Sequence, residues 1–323
     1  MGGRHAGLPD RFTAVRVCEP GGPLRLQSVA AGPLGPVEAV VHLSYAGVNP
    51  LDGQLRAATA LSAAGLPRTL GVEGVGEVDG RWYAVYGAGL GISRDGTWAE
   101  YAIAPRDALV PVPDGLDLRL AAGAGVVGST AVRVTCDLAQ VTAADRVVVL
   151  GAGGGTGMAI TSLARSLGAG VWGQVGSPAK ADEVARNGAV PIVAASAAEL
   201  RKQLIGLDST VAFDALGGEY TSALVETLSP HGRLISYGSS ANSRVSLSIR
   251  SLYRKNLTVH GYGAAGDSPA MLRAAVAAAL DHLASGRMSF RIDRILPLAE
   301  ADRALAALAN REIVGKVLLD ARG

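Results

Sequence analysis

The chain has 323 residues, of which 49% are apolar and 18% charged, and its formal net charge is +2. This length and composition predict a well-packed globular protein of one large or two smaller domains, and they exclude intrinsic disorder. The near-neutral charge, without runs of like charge, argues against nucleic acid or an acidic membrane surface as a partner. Two cysteines, no leader-like segment and no long apolar run lead us to expect a soluble, cytoplasmic protein.

The predicted elements up to about Ala121 are short strands bounded by Gly and Pro. Four apolar stretches carry this pattern: AVVHLSYAGVN, TLGVEGVGEV, RWYAVYG and AEYAIAP. Short apolar runs between turn residues are typical of strands. The first part of the chain is therefore predicted to be a β-rich module.

After about Ala121, apolar strands alternate with helical patterns. The predicted helices include MAITSLARSLGA and KADEVARNGA, and the predicted strands are RVVVL, VWGQVG, VAFDAL, GRLISYGS and LTVHGYG. Strict alternation of strand and helix requires right-handed crossovers and predicts a doubly wound parallel sheet covered on both faces.

The chain is predicted to end with a helix over residues 270–285, the strand RIDRILPL, a helix over residues 299–310 and the strand GKVLLD. These two strands look more like the first module than the second. We therefore expect both chain ends to fold together, with the α/β domain inserted between them. The predicted domains are residues 1–122, completed by residues 288–323, and residues 123–287.

The stretch VVVLGAGGGTG lies between a predicted buried strand and a helix N-terminus. Free N–H groups there favour a phosphate, and missing Cβ atoms let a pyrophosphate approach the backbone. The stretch matches the dinucleotide fingerprint with alanine in the first place, and strand, loop, helix and strand follow in the order that supports it. The alternative is a tight turn that binds nothing. The predicted cofactor-binding residues of the loop are Ala152, Gly153, Gly154, Gly155, Thr156 and Gly157.

The residues after the next strand indicate which dinucleotide is bound. About 20 residues past the fingerprint, NAD-binding chains place an acid on the ribose hydroxyl. This chain has Ser177 and Lys180 there, and its first acid is Asp182. The pattern favours NADPH, with Ser177 and Lys180 binding the 2′-phosphate. The alternative is that Lys180 merely opens the next helix at the surface.

Several segments in order resemble the zinc-independent quinone oxidoreductase and enoyl reductase branch of the medium-chain dehydrogenase/reductase superfamily. The resemblance covers about residues 13–319. It implies an α/β fold made of a GroES-like, β-rich catalytic domain and a Rossmann domain, with the active site in the cleft between them. It also implies a homodimer formed through the last Rossmann strand, near residues 257–262. The segments are AGVNPLD, LGVEGVGEV, GTWAEYA, VPVPDGLD, the glycine loop with LARSLGA, FDALGG and GKVLL.

The chain departs from its zinc-dependent relatives at the metal-binding positions. They carry Cys where this chain has Asn49 and His where it has Val72, and their four-Cys structural loop is absent here. Since zinc needs such ligands, we expect no metal. In the zinc-free branch, a Tyr regarded as a possible proton donor often stands where this chain has Gln54. The usual proton donor is therefore missing or relocated.

The resemblance suggests further site residues, each of which also has an ordinary structural explanation. Asn49 is expected to bond the substrate or the nicotinamide ribose, or to serve only the Asn-Pro turn. Asp52 is a second candidate or a turn residue. Ser129 and Thr130 are expected to open a helix, with a hydroxyl near the cofactor or as a simple N-cap. Glu73 is expected to be structural.

The strand LIS is followed by Tyr237, Gly238 and Ser239, at a strand end where open α/β sheets place ligands. Gly238 and Ser239 are predicted to contact the cofactor, and Tyr237 is either an acid or a packing residue. Lys316 is predicted near the cofactor by resemblance, the alternative being a surface lysine. The predicted catalytic residues are Asn49, Asp52, Thr130 and Tyr237.

The sequence thus predicts an enzyme that delivers hydride from NADPH to a small conjugated substrate, either an activated C=C of an enone or enoyl group or a quinone. Two alternatives stay open: a natural-product tailoring reductase or reductive cyclase acting on one conjugated intermediate, and a non-catalytic NADPH-binding protein. Pocket-lining residues are expected in the loops at residues 54–67 and 87–97.

Overall fold

The computed structural model describes residues 8–57 and 65–322, which form two compact units. The first unit is drawn from residues 1–128, 268–284 and 292–323, and the second from residues 129–267 and 285–291. These limits differ from the predicted domains chiefly in the helix after residue 268, which belongs to the first unit. Part of the predicted pocket loop at residues 54–67 lies outside the described residues.

The first unit is built on two sheets of short strands. The strands are β1 (Arg11–Val17), β2 (Leu24–Ala30), β3 (Glu38–Val48), β4 (Arg68–Thr69), β5 (Glu73–Val78), β6 (Arg81–Tyr86), β7 (Tyr101–Pro105), β8 (Leu109–Pro111), β15 (Ile292–Pro297) and β16 (Lys316–Asp320). In the described residues the larger sheet has the order β15-β16-β3-β5-β6-β8, with β7 also paired to β3, and the smaller has the order β2-β1-β4.

Buried and exposed side chains alternate along these strands, as expected for a sheet with one face in the core. In β3, the side chains of Ala39, Val41 and Leu43 are buried, while His42 between them is exposed. Each of the four apolar stretches that were predicted to be strands contains a strand of the structure. Strands β1 and β2, which carry polar residues on their exposed face, were not predicted. Strand β16 pairs antiparallel with β3, so the C-terminal strands complete the first unit's sheet.

The helices of the first unit are α1 (Pro50–Ala57), α2 (Leu118–Ala121), a π-helix (Ala124–Gly128), α9 (Pro269–Ala284) and α10 (Ala301–Ala309). Helix α9 is held to this unit by Arg273, whose guanidinium donates hydrogen bonds to the carbonyl oxygens of Leu109 (2.6 Å) and Arg106 (3.2 Å). These hydrogen bonds join residues that are far apart in sequence. The domain boundary predicted at residue 287 therefore assigned helix α9 to the second unit instead of the first.

The second unit has a parallel sheet of order β11-β10-β9-β12-β13-β14. This confirms the doubly wound parallel sheet. Its strands are β9 (Arg146–Val149), β10 (Gly170–Val175), β11 (Val190–Val193), β12 (Val211–Asp214), β13 (Arg233–Ser236) and β14 (Thr258–Gly261). Its helices are α3 (Ser129–Val132), a π-helix (Arg133–Leu138), α4 (Gly155–Ser166), α5 (Ala181–Arg186), α6 (Ala197–Leu204), α7 (Glu219–Thr227) and α8 (Ile249–Lys255).

The order of this sheet reverses beside β9, so a crevice is expected at the carboxyl ends of β9 and β12. Central strand β12 is fully buried, as a strand covered on both faces should be. Strand β11 and helices α6, α7 and α8 were not predicted. In the part of the chain that the structure describes, no helix is both long and apolar enough to cross a membrane.

Candidate functional site

The glycine-rich loop forms a tight turn between β9 and α4. Gly151 has a φ of +66°, a left-handed conformation that glycine adopts without strain. Its N–H donates to Gln174 Oε1 (3.1 Å), and the N–H of Ala152 donates to the Gln174 carbonyl oxygen (2.9 Å). The turn is thereby tied to β10 in a single conformation.

Gly157 lets helix α4 pack directly on this turn. A Cβ atom at position 157 would lie 2.4 Å from the Gly151 carbonyl oxygen and 2.8 Å from the Cα atom of Ala152. No real side chain tolerates such distances from backbone atoms. The last glycine of the fingerprint therefore serves helix–turn packing.

The N-terminus of α4 is not capped by a side-chain hydrogen bond among the described residues. Its N-cap is Gly154, and no side-chain cap is formed. The first turn consists of Gly155, Thr156 and Gly157, whose N–H groups have no acceptor within the helix. These N–H groups and the positive end of the helix dipole suit a phosphate.

Lys180 lies beside the loop. A Cβ atom on Gly153 would be 3.4 Å from Lys180 Cδ, so the aliphatic part of the lysine packs over that glycine. Ser177 lies two residues after the end of β10, and its carbonyl oxygen accepts a hydrogen bond from the Lys180 N–H (3.2 Å). Both half-buried residues thus stand at the carboxyl end of β10, next to the glycine turn.

The predicted contacts Tyr237, Gly238 and Ser239 follow β13 at the same edge of the sheet. The Tyr237 hydroxyl is buried and has no hydrogen-bond partner in the part of the chain described. Burial, and secondly the charge of Asp214, raises the pKa of Tyr237 above its usual value. The hydroxyl therefore stays protonated at neutral pH and can donate a hydrogen bond, but it is a weaker acid than an ordinary tyrosine.

Ser129 and the half-buried Thr130 are the first two residues of α3, as expected. The π-helix Ala124–Gly128 ends directly before Ser129, and α3 passes directly into the second π-helix. Because α3 continues a preceding helical segment, these two residues do not cap a free helix N-terminus. Stretches of π-helix occur often at functional sites.

A buried polar cluster joins Asn49, Glu73 and Lys316 in the first unit, where their exposed fractions are 3%, 0% and 3%. Lys316 Nζ donates to Glu73 Oε1 and to Asn49 Oδ1, both at 2.5 Å. Asn49 Nδ2 donates to the same Glu73 oxygen (2.9 Å), and Glu73 Oε2 accepts from the Val126 N–H (2.7 Å). Lys316 is therefore not a surface lysine, and both of its hydrogen bonds stay inside this cluster.

Asp52 lies next to the cluster and is completely buried. Its Oδ2 accepts from the Asn49 N–H (2.8 Å), while Oδ1 has no hydrogen-bond partner among the described residues. Burial raises the pKa of Asp52 to about 7, against the opposing effects of the Asn49 hydrogen bond and of Lys316. A large part of this carboxyl group is therefore protonated at neutral pH.

The structure thus divides the predicted site residues between the units. Asn49, Asp52 and Lys316 lie together in the first unit, while Thr130, Tyr237 and the glycine loop belong to the second. Sequence reasoning missed Gln174, which ties down the loop, and the central place of Glu73 in its cluster. A signal for Glu73 existed in the glycines around it, since a Cβ on Gly47 would lie 2.4 Å from Glu73 Oε1.

Among the described residues, no group of three or more His, Cys, Asp or Glu side chains is arranged to hold a metal ion. Val72 is buried in the core, and the side chain of Asn49 is bonded to Glu73 and Lys316.

A GroES-like unit and a Rossmann unit with a glycine-rich turn define a nicotinamide-dependent oxidoreductase architecture. The family model and the relatives below support placing the chain in the medium-chain dehydrogenase/reductase superfamily, with similarity to its quinone oxidoreductases. The model of the zinc-binding dehydrogenase family matches residues 155–284, which include neither Asn49 nor Val72.

Three proteins illustrate this similarity. The quinone oxidoreductase of Pseudomonas aeruginosa is 26% identical over 298 residues, covering 88% of this chain and 91% of that protein. That of Sus scrofa is 28% identical over 325 residues, covering 95% and 97%. A mycobacterial protein solved in complex with NADPH is 24% identical, with a TM-score of 0.84 over 96% of this chain and 99% of that one. The matches support an NAD(P)H-dependent oxidoreductase.

Proposed function

We propose that this protein is an NADPH-dependent, zinc-independent reductase that delivers hydride to the activated C=C of an enone or enoyl group, or to a quinone. The observation that carries the proposal is the turn from Gly151 to Gly157. It combines a left-handed glycine, a helix start without a side-chain cap and a backbone approach that excludes a Cβ atom. This donor set fits the pyrophosphate of a dinucleotide.

The preference for NADPH rests on the residues beside the turn. Ser177 and Lys180 stand at the end of β10, where a carboxylate would repel a 2′-phosphate, and the first acid, Asp182, lies on α5. A lysine ammonium and a hydroxyl are suitable partners for a phosphate group. The mycobacterial relative that shares the fold was solved with the same dinucleotide.

When bound, NADPH supplies a hydride, and the residues of the chain must stabilise the negative charge that then develops on the substrate oxygen. Asn49 is the proposed hydrogen-bond donor, since the family resemblance places this position at the substrate or the nicotinamide ribose. Asp52 has no exposed surface, and the raised pKa of Tyr237 weakens it as an acid. Water is therefore the proposed proton source.

Zinc independence is proposed from the donors present. The positions that carry Cys and His in zinc-dependent relatives hold an amide and a valine, and Lys316 places an ammonium group against the amide oxygen. A fixed positive charge at this distance opposes the binding of a second cation. Hydride acceptors that form stable anions, such as enones, enoyl thioesters and quinones, suit a site without a Lewis acid.

The protein is further proposed to be a cytoplasmic homodimer. Strand β14 is the edge of the parallel sheet in the described residues, and its four residues, Thr258–Gly261, are all exposed. An unpaired edge strand can pair with the same strand of a second copy.

The test is a fluorescence titration with NADPH and with NADH, followed by NADPH oxidation with a panel of quinones, enones and enoyl thioesters. Tighter binding of NADPH and turnover with one acceptor class are expected. Binding without turnover on any acceptor would favour the non-catalytic alternative, and failure to bind either nucleotide would overturn the proposal. Turnover with a single elaborate enone, and none with simple ones, would favour the tailoring reductase.

A further inference from the structure

Gln174 places a buried amide at the carboxyl end of β10. Its exposed fraction is 3%, and its neighbours in the strand, Gly173 and Val175, are buried as well. Burying a side-chain amide is unfavourable unless its polar atoms are hydrogen-bonded. An apolar side chain would fill the same place in a buried strand without this requirement, so the amide points to a role other than filling the core.

Both polar atoms of this amide bond to backbone groups, one on each side of β10. Oε1 accepts from the N–H of Gly151 in the turn after β9 (3.1 Å), and Nε2 donates to the carbonyl oxygen of Ala194, which follows β11 (2.7 Å). Since a backbone N–H can only donate and a carbonyl can only accept, the orientation of the amide is fixed. The side chain therefore continues the hydrogen bonding of the sheet beyond the ends of β9 and β11.

Ala194 gives this bridge a fixed anchor. Its N–H donates to the carbonyl oxygen of Val175 (2.9 Å). The Tyr220 hydroxyl donates to the carbonyl oxygen of the following residue, Ala195 (2.7 Å). The carbonyl group that Gln174 bonds is thus held in place from both sides by other parts of the second unit.

At the other end of the bridge, Gly151 sets the position of helix α4. Its carbonyl oxygen accepts from the N–H of Gly154, the N-cap residue of α4 (3.0 Å), and would lie 2.4 Å from a Cβ atom on Gly157. The start of the helix therefore rests directly on Gly151. Glycine is the residue with the most backbone freedom, so the bond from its N–H to Gln174 removes freedom that this turn would otherwise have.

The same bonds decide which donors are left for a phosphate. The N–H groups of Gly151 and Ala152 are bonded to Gln174, and that of Gly154 is bonded to Gly151. These three donors are used inside the turn, whereas the first turn of α4 has no acceptors within its own helix. The position of the α4 N-terminus, which Gly151 sets, is therefore what matters for binding a phosphate.

We infer that Gln174 is a positioning residue for the pyrophosphate of the dinucleotide, because it joins Gly151 to Ala194 and so holds the turn in its binding shape before the cofactor arrives. This inference rests on the proposed function. NADPH and NADH share the pyrophosphate, so Gln174 serves both nucleotides, whereas Lys180 is proposed to serve only the 2′-phosphate.

The first test is Gln174→Met, which keeps the length of the side chain and removes both hydrogen bonds. Binding of NADPH and of NADH should weaken by the same factor, about 10-fold, the effect of one lost hydrogen bond. At saturating NADPH, kcat should stay within about 2-fold of the wild type, since only binding is affected. Lower stability in urea with unchanged affinity would mark Gln174 as merely structural and overturn the inference, and so would a loss confined to NADPH.

Gln203→Met is the matched control. Gln203 is exposed on α6, and its Nε2 also donates to a backbone carbonyl oxygen at the end of β11, that of Val193 (2.7 Å). The control removes the same kind of hydrogen bond close to the anchor but no bond to the glycine turn, so both affinities should stay unchanged. An equal 10-fold loss in the control would overturn the particular role of Gln174.

A measurement on the wild type keeps the inference testable if Gln174→Met does not fold. In hydrogen exchange followed by NMR, the Gly151 N–H of the cofactor-free protein should exchange at least about 10-fold more slowly than an unstructured glycine amide, because it is already bonded. A Gly151 N–H that is protected only after NADPH is added would overturn the inference. If neither nucleotide binds, the proposed function fails, whereas exchange at Gly151 still tests whether the turn is preformed.

Discussion

At the residue scale, the completely buried carboxyl group of Asp52 makes stability depend on pH. Burial raises the pKa of Asp52 in the folded protein to about 7, from an ordinary value of 3.8. The groups facing it are Asn49, Glu73 and Lys316, and only its Oδ2 is hydrogen-bonded within the described residues. The folded state therefore holds this proton more tightly than the unfolded state does, so ionisation of Asp52 lowers stability between about pH 4 and pH 7.

Replacing Asp52 with asparagine should remove this dependence. Asp52→Asn is expected to raise the free energy of unfolding at pH 8 by about 1–3 kcal/mol, because no charge then has to be buried. The gain over the wild type should grow from pH 5 to pH 7 and stay constant above, as measured by urea unfolding. Asp182→Asn, at an exposed position, is the control. A gain that is the same at pH 5 and pH 8 would contradict the raised pKa.

Lys180 should determine the choice of dinucleotide. Lys180→Ala is expected to weaken NADPH binding by about 10- to 100-fold, the value of one charge-assisted hydrogen bond to phosphate, and to leave NADH binding nearly unchanged. Fluorescence titration of both nucleotides measures this, with Lys202→Ala as the matched surface lysine. Equal losses for the two nucleotides would show that Lys180 does not distinguish the 2′-phosphate.

At the scale of elements, the turn between β9 and α4 requires glycine because it leaves no space for a Cβ atom. Gly157 admits no Cβ atom against the backbone of Gly151, whereas a Cβ on Gly176, after β10, would meet nothing within 4 Å. Two glycines near the same edge of one sheet thus differ completely in what they tolerate.

Gly157→Ala should therefore lower the free energy of unfolding by about 1–3 kcal/mol through overpacking and should weaken dinucleotide binding. Gly176→Ala is the matched control and should be nearly neutral in both respects. Thermal unfolding and NADPH titration measure the two effects. If the two variants proved equally stable, the close approach at Gly157 would not be present in solution.

The elements that could be predicted are those whose sequence pattern is local. Strand β9 follows from a buried apolar run, the turn after it from the glycine fingerprint, and helix α4 from a single apolar face. The π-helix of Ala124–Gly128 could not be predicted, because the Val126 N–H donates to Glu73, which is far away in sequence. Helix α3 does begin at Ser129, but the helical segment directly before it was not predicted.

The sequence predicted the candidate site only in part, because the contacts between its residues are long-range. Residue types identified Asn49, Asp52 and Lys316 as candidates, but nothing local shows that Lys316 reaches Asn49 across 267 positions of sequence. The burial of Asp52, on which its pKa depends, is likewise a property of the packed unit. The sequence identifies the candidate residues, whereas their protonation states and hydrogen-bond partners depend on the tertiary structure.

At the scale of the whole molecule, both chain ends belong to the first unit, since β16 pairs with β3. Helix α9 joins them through Arg273, which bonds to carbonyl groups more than 150 residues earlier in the chain. The limits of the units therefore depend on long-range hydrogen bonds, which a change of sequence pattern near residue 287 does not reveal.

The exposed strand β14 gives a prediction for the assembly. Val259, which is 42% exposed, should become buried when two copies pair along this edge, so Val259→Arg is expected to yield monomers. Light scattering after gel filtration should give twice the chain mass for the wild type. Ile205→Arg, at an exposed position after α6, is the control and should stay dimeric. A monomeric wild type would contradict the proposed dimer.

The central claim is that the protein transfers hydride from NADPH to a conjugated acceptor, and isotope transfer tests it most directly. NADPH carrying deuterium at C4 of the nicotinamide, in the separate R and S forms, would be incubated with the protein and the best enone of the panel. The account predicts that one form places deuterium at the β-carbon of the product, with the α-hydrogen coming from water. A product without deuterium from either form, or no product at all with a protein that binds NADPH, would contradict it.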